Sequence, residues 1–451
     1  MINVFEQNLI SLSKALNEPL YAVGGVVRNY LIDKSVAEDI DLASPVGVEQ
    51  LAPLLNQYGF VIVAEYKRTG TVVFKSKTQK YEFTSFREEK YQKGGGHTPI
   101  STERTTDIMQ DALRRDFKCN AVYYDITNAK FVDPLGGISD IKNKVLDTVK
   151  KAEQVFESDG LRLLRLARFS GELNFKPTEE VLSSMQKYAD NILDISHERI
   201  YSELVRILES DTKYPFSDKI GHYTCLKILS DTRVLDRIFP ALALGRGMVQ
   251  RADYHKYDVL EHSLRSVLYA PKTIRLIALL HDIGKPLCYK RDGNFYAHAE
   301  EGAKIAKQVL SSLKADKRTV DRAYTLIKAH MLDLDLKMRE QKVRLNIAKN
   351  FLIIDDVFAL KQADFSACKD DEGVSPTVAK WKGIIEKMQQ EGAPFTLKDL
   401  KISAKDLMEK GLKGSQIGQA LKQLFLNAVI GQVKNDRQSL INAVKTCKQT
   451  T

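Results

Sequence analysis

The chain has 451 residues, more than one hydrophobic core usually serves, so two to four domains are expected. Lys and Arg number 68 against 58 Asp and Glu, a formal net charge of +10, which favours a polyanionic partner, nucleic acid first. The five cysteines, Cys119, Cys225, Cys288, Cys368 and Cys447, form no CxxC pair and are odd in number, which argues against both a disulfide framework and a cysteine-built zinc site.

The first stretch, "MINVFEQNLISLSKAL", mixes acid and amide groups among its apolar residues, and no long uncharged apolar run follows. The expectation is a soluble, unexported protein of a reducing cytoplasm with no membrane contact; no protein partner is implied. From about Tyr21 to Leu146, short apolar runs such as "YAVGG", "IDLAS", "TVVFKS", "YEFTSF" and "NAVYYDI" alternate with turn residues and a few helical stretches. That pattern predicts a mixed α/β head over 1–150. From about Ala152 the periodicity becomes helical, as in "SDGLRLLRLARFSGEL" and "ERIYSELVRILES", with no convincing strand run. The expected fold class is therefore α+β, with an all-α neck over 151–215, a helical domain over 216–375 and a helical tail over 376–451. Within the head, "QKGGGHTPISTERT" predicts a mobile loop, because three consecutive glycines do not hold a fixed backbone cheaply.

"YAVGG" reads as a strand running into "VVRNYLI" as a helix, which places Gly24 and Gly25 where backbone amides approach an anion. An isolated Gly-Gly is more often an ordinary tight turn. Downstream, "DID" on a strand puts Asp39 and Asp41 on one face and Ile40 on the other, so two carboxylates can share divalent ions that bridge a triphosphate and an attacking hydroxyl. Alone, such a pair is usually a solvated face.

The Gly-Gly turn, Arg28 and the Asp-x-Asp strand together resemble the nucleotidyltransferase superfamily that includes DNA polymerase β. "LRRDFKCNAVYYD", "DPLGG", "SDGLRLLRLARF" and "HERIYSEL" follow in the order of the motifs of class II tRNA nucleotidyltransferases, the CCA-adding enzymes, and "LKISAKDLMEKGLKGSQIGQALKQL" resembles that family's tail. The resemblance implies a polymerase β-like head followed by neck, body and tail, with tRNA, CTP and ATP as partners and Mg2+ as cofactor. Two positions depart from the family pattern: Asn29 stands where Asp is usual after the arginine, and Ser158 where Glu is usual before the aspartate of "DGLR".

By that resemblance, Asp39 and Asp41 are catalytic and hold Mg2+, while Gly25, Arg28 and Arg115 contact the triphosphate. Glu82 is equally a third carboxylate or a surface strand residue, and the structural alternative for Arg115 is an ion pair with Asp116. Arg162, Arg165 and Arg168 fall at i, i+3 and i+6 beside Asp159, a spacing that a solvated basic face would also give. A carboxylate accepts from the exocyclic amino group of C or A, and an arginine donates to the adjacent ring acceptor; G and U would aim an oxygen at the carboxylate. The family's base selection is carried to Asp159 and Arg162 and its nucleotide contacts to Arg165 and Arg168.

Between Tyr254 and Asp364, "EHSLRSVLYAPKTIRLIALLHDIGKP", "YAHAEEG", "IKAHM" and "KQADFSA" resemble an HD domain. The implied metal ligands are His262, His281, Asp282 and Asp364, with His298 and His330 as additional ligands where a second divalent metal is held. Such a domain is either an active phosphohydrolase or a retained scaffold. Poly(A) polymerases and A-adding or CC-adding enzymes share the head motifs and stay open as alternatives, although CC-adding enzymes resemble versions with the segment after "TSFREEKYQKGGGHTP" shortened, and here it has full length. A vestigial head or a non-catalytic RNA-binding protein would require loss of the Asp39–Asp41 pair, which is present.

Overall fold

The computed structural model describes residues 5–35, 39–91, 95–96 and 99–447. The chain divides into two compact units, Met1–Ala243 with Ser312–Ala315, and Leu244–Ser311 with Asp316–Thr451.

The first unit is built on a mixed seven-stranded sheet. Its strands are β1 (Tyr21–Val23), β2 (Asp39–Ser44), β3 (Val61–Tyr66), β4 (Thr71–Lys75), β5 (Lys80–Ser85), β8 (Tyr123–Asp125) and β9 (Lys130–Val132), in the order β3-β4-β5-β2-β1-β8-β9. Every pairing is antiparallel except β2 with β5, which run parallel and in register, Asp39 opposite Lys80 and Asp41 opposite Glu82. Period-two alternation makes one face of this pair the core: Ile40, Leu42, Tyr81 and Phe83 are buried, while Asp39, Asp41, Lys80 and Glu82 lie on the opposite, exposed face. Phe60 and Phe74 complete the packing against Tyr81, with ring centroids 5.2–5.6 Å apart.

Two details differ from the sequence expectation. Part of the glycine-rich segment, residues 92–94 and 97–98, lies outside the described residues, but Ser101–Arg104 within it forms strand β7, paired antiparallel with β6 (Arg87–Lys90). The β-branched Thr102 and the cross-strand pair of Lys90 with Glu103, 3.1 Å apart, suit that hairpin. The neck also contains one short strand, Lys176–Pro177, parallel to Val145–Leu146.

The neck helix Leu161–Leu173 is almost wholly buried, packed against the helices His197–Leu208 and Gly221–Asp231. Gly171 is what allows the second approach: a Cβ there would meet Gly221 O at 2.7 Å and Cys225 Sγ at 2.6 Å.

The second unit is helical among its described residues. Helices Val259–Tyr269, Arg275–Leu280, Lys317–Ala329 and Ile354–Lys369 pack around one another, and a C-terminal core forms around Trp381, whose indole N–H donates to Asp333 Oδ2 at 2.9 Å. Among the described residues no helix is long and apolar enough to cross a membrane.

Candidate active site

A cavity of about 990 Å³ in the first unit gathers the residues singled out in the head and neck. Its floor is the exposed face of β2 and β5, where Asp39, Asp41 and Glu82 project together. Glu82 is therefore part of a three-carboxylate cluster, not an isolated surface glutamate. Gly24, with φ of +74°, precedes the helix Gly25–Asp33, and a Cβ there would lie 3.1 Å from Asp41 Oδ2. The glycine is thus needed both for its backbone conformation and for the space it leaves beside the carboxylate. Asp41 belongs to an exposed residue yet is crowded by the cavity wall. That crowding, with Glu82 and Asp39 adding negative charge, pushes it up to about 6 against the pull of Arg115 and Arg165. A cluster of acceptor oxygens fits a divalent-cation site, since a cation offsets both the burial and the neighbouring negative charge that raise Asp41.

Above this floor stand the arginines. Arg28 is buried and held by neutral acceptors: Nε donates to Asn29 Oδ1 at 3.1 Å, Nη1 to Asn120 Oδ1 at 2.6 Å, and Nη2 to Tyr214 Oη at 3.3 Å. The ring of Phe169 lies 5.1 Å from its guanidinium carbon. Asn29, the first departure from the family pattern, therefore still orients the arginine, through an amide oxygen that leaves its charge unneutralised. Arg115 pairs with Asp111, 3.1 Å away, and donates to Tyr123 Oη at 3.2 Å. The expected alternative pairing with Asp116 is not found, because the turn after Arg115 aims Asp116 at the neck instead. Asp116 accepts from Arg165 Nε at 2.8 Å and from Asn120 Nδ2 at 3.0 Å. Burial would raise Asp116, but Arg165 and Asn120 outweigh it and hold the carboxyl well below its usual range.

Asp159 and Arg162 line the same cavity and are both buried. Asp159 Oδ1 accepts the Leu161 N–H at 2.9 Å, and its Oδ2 lies 3.7 Å from Arg162 Nε. Arg162 Nη2 donates to Arg114 O at 2.7 Å, and its Nη1 reaches Ser158 Oγ at 3.4 Å, so the second departure, Ser158, also touches an assigned arginine. Arg168 is 1% exposed and clamped by two carboxylates, Glu203 at 2.6 Å and Glu172 at 2.7 Å. The alternative of a solvated basic face does not hold for the arginine series: helix Leu161–Leu173 buries Arg162 and Arg168 and ties Arg165 to the head. Sequence reasoning missed Asn120, Tyr214, Glu172 and Glu203, whose roles depend on contacts between segments far apart in the chain. Asn120 sits within "RRDFKCN" and was within reach of that motif.

The second unit brings together all six predicted HD residues. His262 Nε2 lies 3.3 Å from His281 Nε2, 3.0 Å from Asp364 Oδ1 and 3.4 Å from Asp282 Oδ2. On the other side of Asp282, Oδ1 is 3.3 Å from His298 Nε2 and 3.6 Å from His330 Nε2. Asp282 therefore stands between two sets of donors. Both its oxygens are buried without a hydrogen bond of regular geometry, although Lys285 Nζ is 2.6 Å from Oδ2. His281, His298 and His330 each direct Nδ1 at a backbone carbonyl, of Ala278, Phe295 and Ile327, at 2.7, 2.7 and 2.6 Å. A proton on Nδ1 leaves the Nε2 lone pair for a metal. Burial opposes a charge on His281, but Asp282 and Asp364 outweigh it and push the imidazole up to about 10. The buried carboxylates require a positive charge, which a cation supplies in place of that proton. The donor set fits two divalent ions with Asp282 between them.

Three family models match successive parts of the chain. Residues 20–147 match the poly A polymerase head domain, 174–244 the probable RNA and SrmB-binding site of polymerase A, and 255–351 the HD domain. The chain is 29% identical over 445 residues to a multifunctional CCA protein of Acinetobacter baumannii (strain SDF), covering 93% of this chain and 99% of the relative. It is 28% identical over 357 residues to an A-adding tRNA nucleotidyltransferase of Deinococcus radiodurans, covering 74% of this chain and 78% of that protein. The fold is that of the Bacillus stearothermophilus CCA-adding enzyme solved with CTP: TM-score 0.65, 21% identity, 98% of each chain covered.

Proposed function

We propose that the chain is a member of the tRNA nucleotidyltransferase and poly(A) polymerase family with an HD domain and that it adds C, C and A to the 3′ end of tRNA without a nucleic acid template. The observation that carries the reading is the position of Asp39, Asp41 and Glu82 on the floor of the same cavity that holds the Asp159–Arg162 pair. Asp39 and Asp41, with Glu82 beside them, would hold divalent ions, Mg2+ in this reading, whose chemistry is to neutralise phosphate charge and to activate the 3′ hydroxyl. The hydroxyl oxygen forms the new bond to the α-phosphorus, the bond to the β-phosphate oxygen breaks, and pyrophosphate leaves. Gly25 and Arg28 lie at the helix N-terminus beside the carboxylates, where an amide and an uncompensated guanidinium receive the triphosphate. Arg115 and Arg165 supply further positive charge.

Base choice falls to Asp159 and Arg162. The side-by-side carboxylate and guanidinium match the donor and acceptor edge shared by cytosine and adenine, while guanine or uracil would set oxygen against oxygen in a partly dry pocket. Arg168 is read as a positioning residue, since its Nε and Nη1 are taken by Glu203 and Glu172. The alternatives, poly(A) addition or a partial CC or A addition, keep the same head; the similarity to an A-adding enzyme makes A-only addition the one to exclude. Incubating tRNA that lacks its terminus with CTP alone, ATP alone and both separates these readings.

For the HD domain we infer a metal-dependent phosphohydrolase, supported by an intact ligand set and by three histidines whose tautomer is fixed for coordination. His262, His281 and Asp364 would hold one ion and His298 and His330 the other, with Asp282 facing both; bound ions would supply an activated water. Four free cysteines, Cys119, Cys225, Cys288 and Cys368, suit the cytoplasmic residence this reading assigns.

A further inference from the structure

His262 differs from the other three histidines of the HD cluster in its second nitrogen. It is fully buried, and its Nδ1 has no hydrogen-bond partner among the described residues, so no backbone carbonyl fixes which nitrogen carries the proton. Beside it lie two donors that neither the HD resemblance nor the phosphohydrolase reading uses. The ring of His255 meets that of His262 edge to face, centroids 4.9 Å apart at 86°, and the Nδ1 of His255 is also buried and unpartnered among the described residues. Cys368 stands one helical turn beyond Asp364 on Ile354–Lys369, and its S–H donates to Asp364 O at 3.3 Å. One ligand atom from each of His255, His262 and Cys368 lies within 4.8 Å of the others. In a closed tetrahedral nitrogen-sulfur site such separations are roughly 3.3–3.8 Å, so a rotamer adjustment of about an ångström closes it.

We propose that His255, His262 and Cys368 form a binding position for one thiophilic divalent cation of the zinc class, separate from the sulfur-free centre around Asp282. A thiol and two imidazoles select a borderline-soft ion over Mg2+, which prefers oxygen ligands. On binding, the Cys368 thiol loses its proton to solvent and the thiolate forms the metal–sulfur bond, with no redox change. A neutral imidazole has a single free lone pair, so His262 serves this position or the HD position, but not both. Occupation by a thiophilic ion thus withdraws one ligand from the HD centre. The site itself does not depend on whether the HD centre is hydrolytic.

Cobalt tests it, because the HD ligands are nitrogen and oxygen only and a thiolate-to-cobalt charge-transfer band must come from a cysteine. Full-length protein stripped with a chelator and titrated with Co2+ should develop that near-ultraviolet band. Cys368→Ser should remove the band while keeping the visible absorption of the nitrogen and oxygen ligands, and His255→Gln should weaken the affinity read from the band by about tenfold or more. In wild-type protein, Zn2+ but not Mg2+ should slow alkylation of Cys368, followed by mass mapping, by at least about tenfold. This second measurement needs no variant to fold. A band that persists in Cys368→Ser, no band at cobalt saturation in the wild type, or Cys368 alkylation unchanged by Zn2+ would each overturn the proposal.

Discussion

Asp41 and Glu82 are in-register partners across the one parallel pair of the sheet, β2 with β5, and their carboxylates leave it on the same face. Directly opposite like charges destabilise a strand pair unless something positive lies between them; burial first, and then the charges of Glu82 and Asp39, push Asp41 up to about 6. Asp41→Asn and Asp39→Asn should each reduce nucleotide addition by at least about a hundredfold, and Glu82→Gln should reduce it less, since the first two carboxylates are the assigned ligands. tRNA binding, measured by filter retention, should barely change. Near-normal addition by Asp41→Asn would remove these residues from the chemistry.

Asp159→Ala should reduce discrimination before it abolishes rate. Losing one directional acceptor is worth roughly 1–3 kcal/mol, so the preference for CTP over UTP and for ATP over GTP should shrink by about tenfold or more. Arg162→Ala should instead depress both correct nucleotides. The measurement is kcat/KM for all four nucleotides; full discrimination with lost rate in Asp159→Ala would mean that the carboxylate only braces Arg162.

Arg168 should behave differently from Arg162. Its removal leaves Glu172 buried without its partner and Glu203 with Arg206 alone, a loss of about 3–5 kcal/mol of the kind seen when one member of a buried ion pair is deleted. Thermal denaturation of Arg168→Ala should show a large fall in Tm, whereas Arg162→Ala should change activity with a small change in Tm. Equal melting temperatures for Arg168→Ala and wild type would return Arg168 to direct nucleotide contact.

His281→Ala and Asp282→Ala should remove metal-dependent hydrolysis of 2′,3′-cyclic phosphates or simple phosphoesters and leave nucleotide addition largely intact, because the two ligand sets belong to separate compact units. Both activities are measured in one preparation. If wild-type protein with Mg2+, Mn2+, Ni2+ or Co2+ hydrolyses none of these substrates, the domain is a scaffold.

The shared face of Asp39 and Asp41 was legible from "DID" because strand periodicity forces it, and its reading as a site came from the Gly-Gly turn and Arg28 beside it. The third member was not: Glu82 becomes part of the site only through the parallel register of β2 and β5, a long-range pairing that no local pattern encodes. The HD ligands were legible as residue types in order, yet the place of Asp282 between two sets of histidines depends on four helices meeting. The arginine stripe left two readings open. The i, i+3, i+6 spacing suits a solvated face, and only the packing of Gly171 against Gly221 shows why the helix is buried and its arginines need Glu172, Glu203 and Asp116 as partners.

The most direct test sequences the 3′ ends of tRNA transcripts lacking their terminus after incubation with the wild-type protein, Mg2+, CTP and ATP together, beside an Asp41→Asn control. The account predicts ends completed as CCA and no further, with CC in CTP alone and no extension by the control. Runs of A, addition of A alone to ends that already carry CC, or extension that survives Asp41→Asn would contradict it.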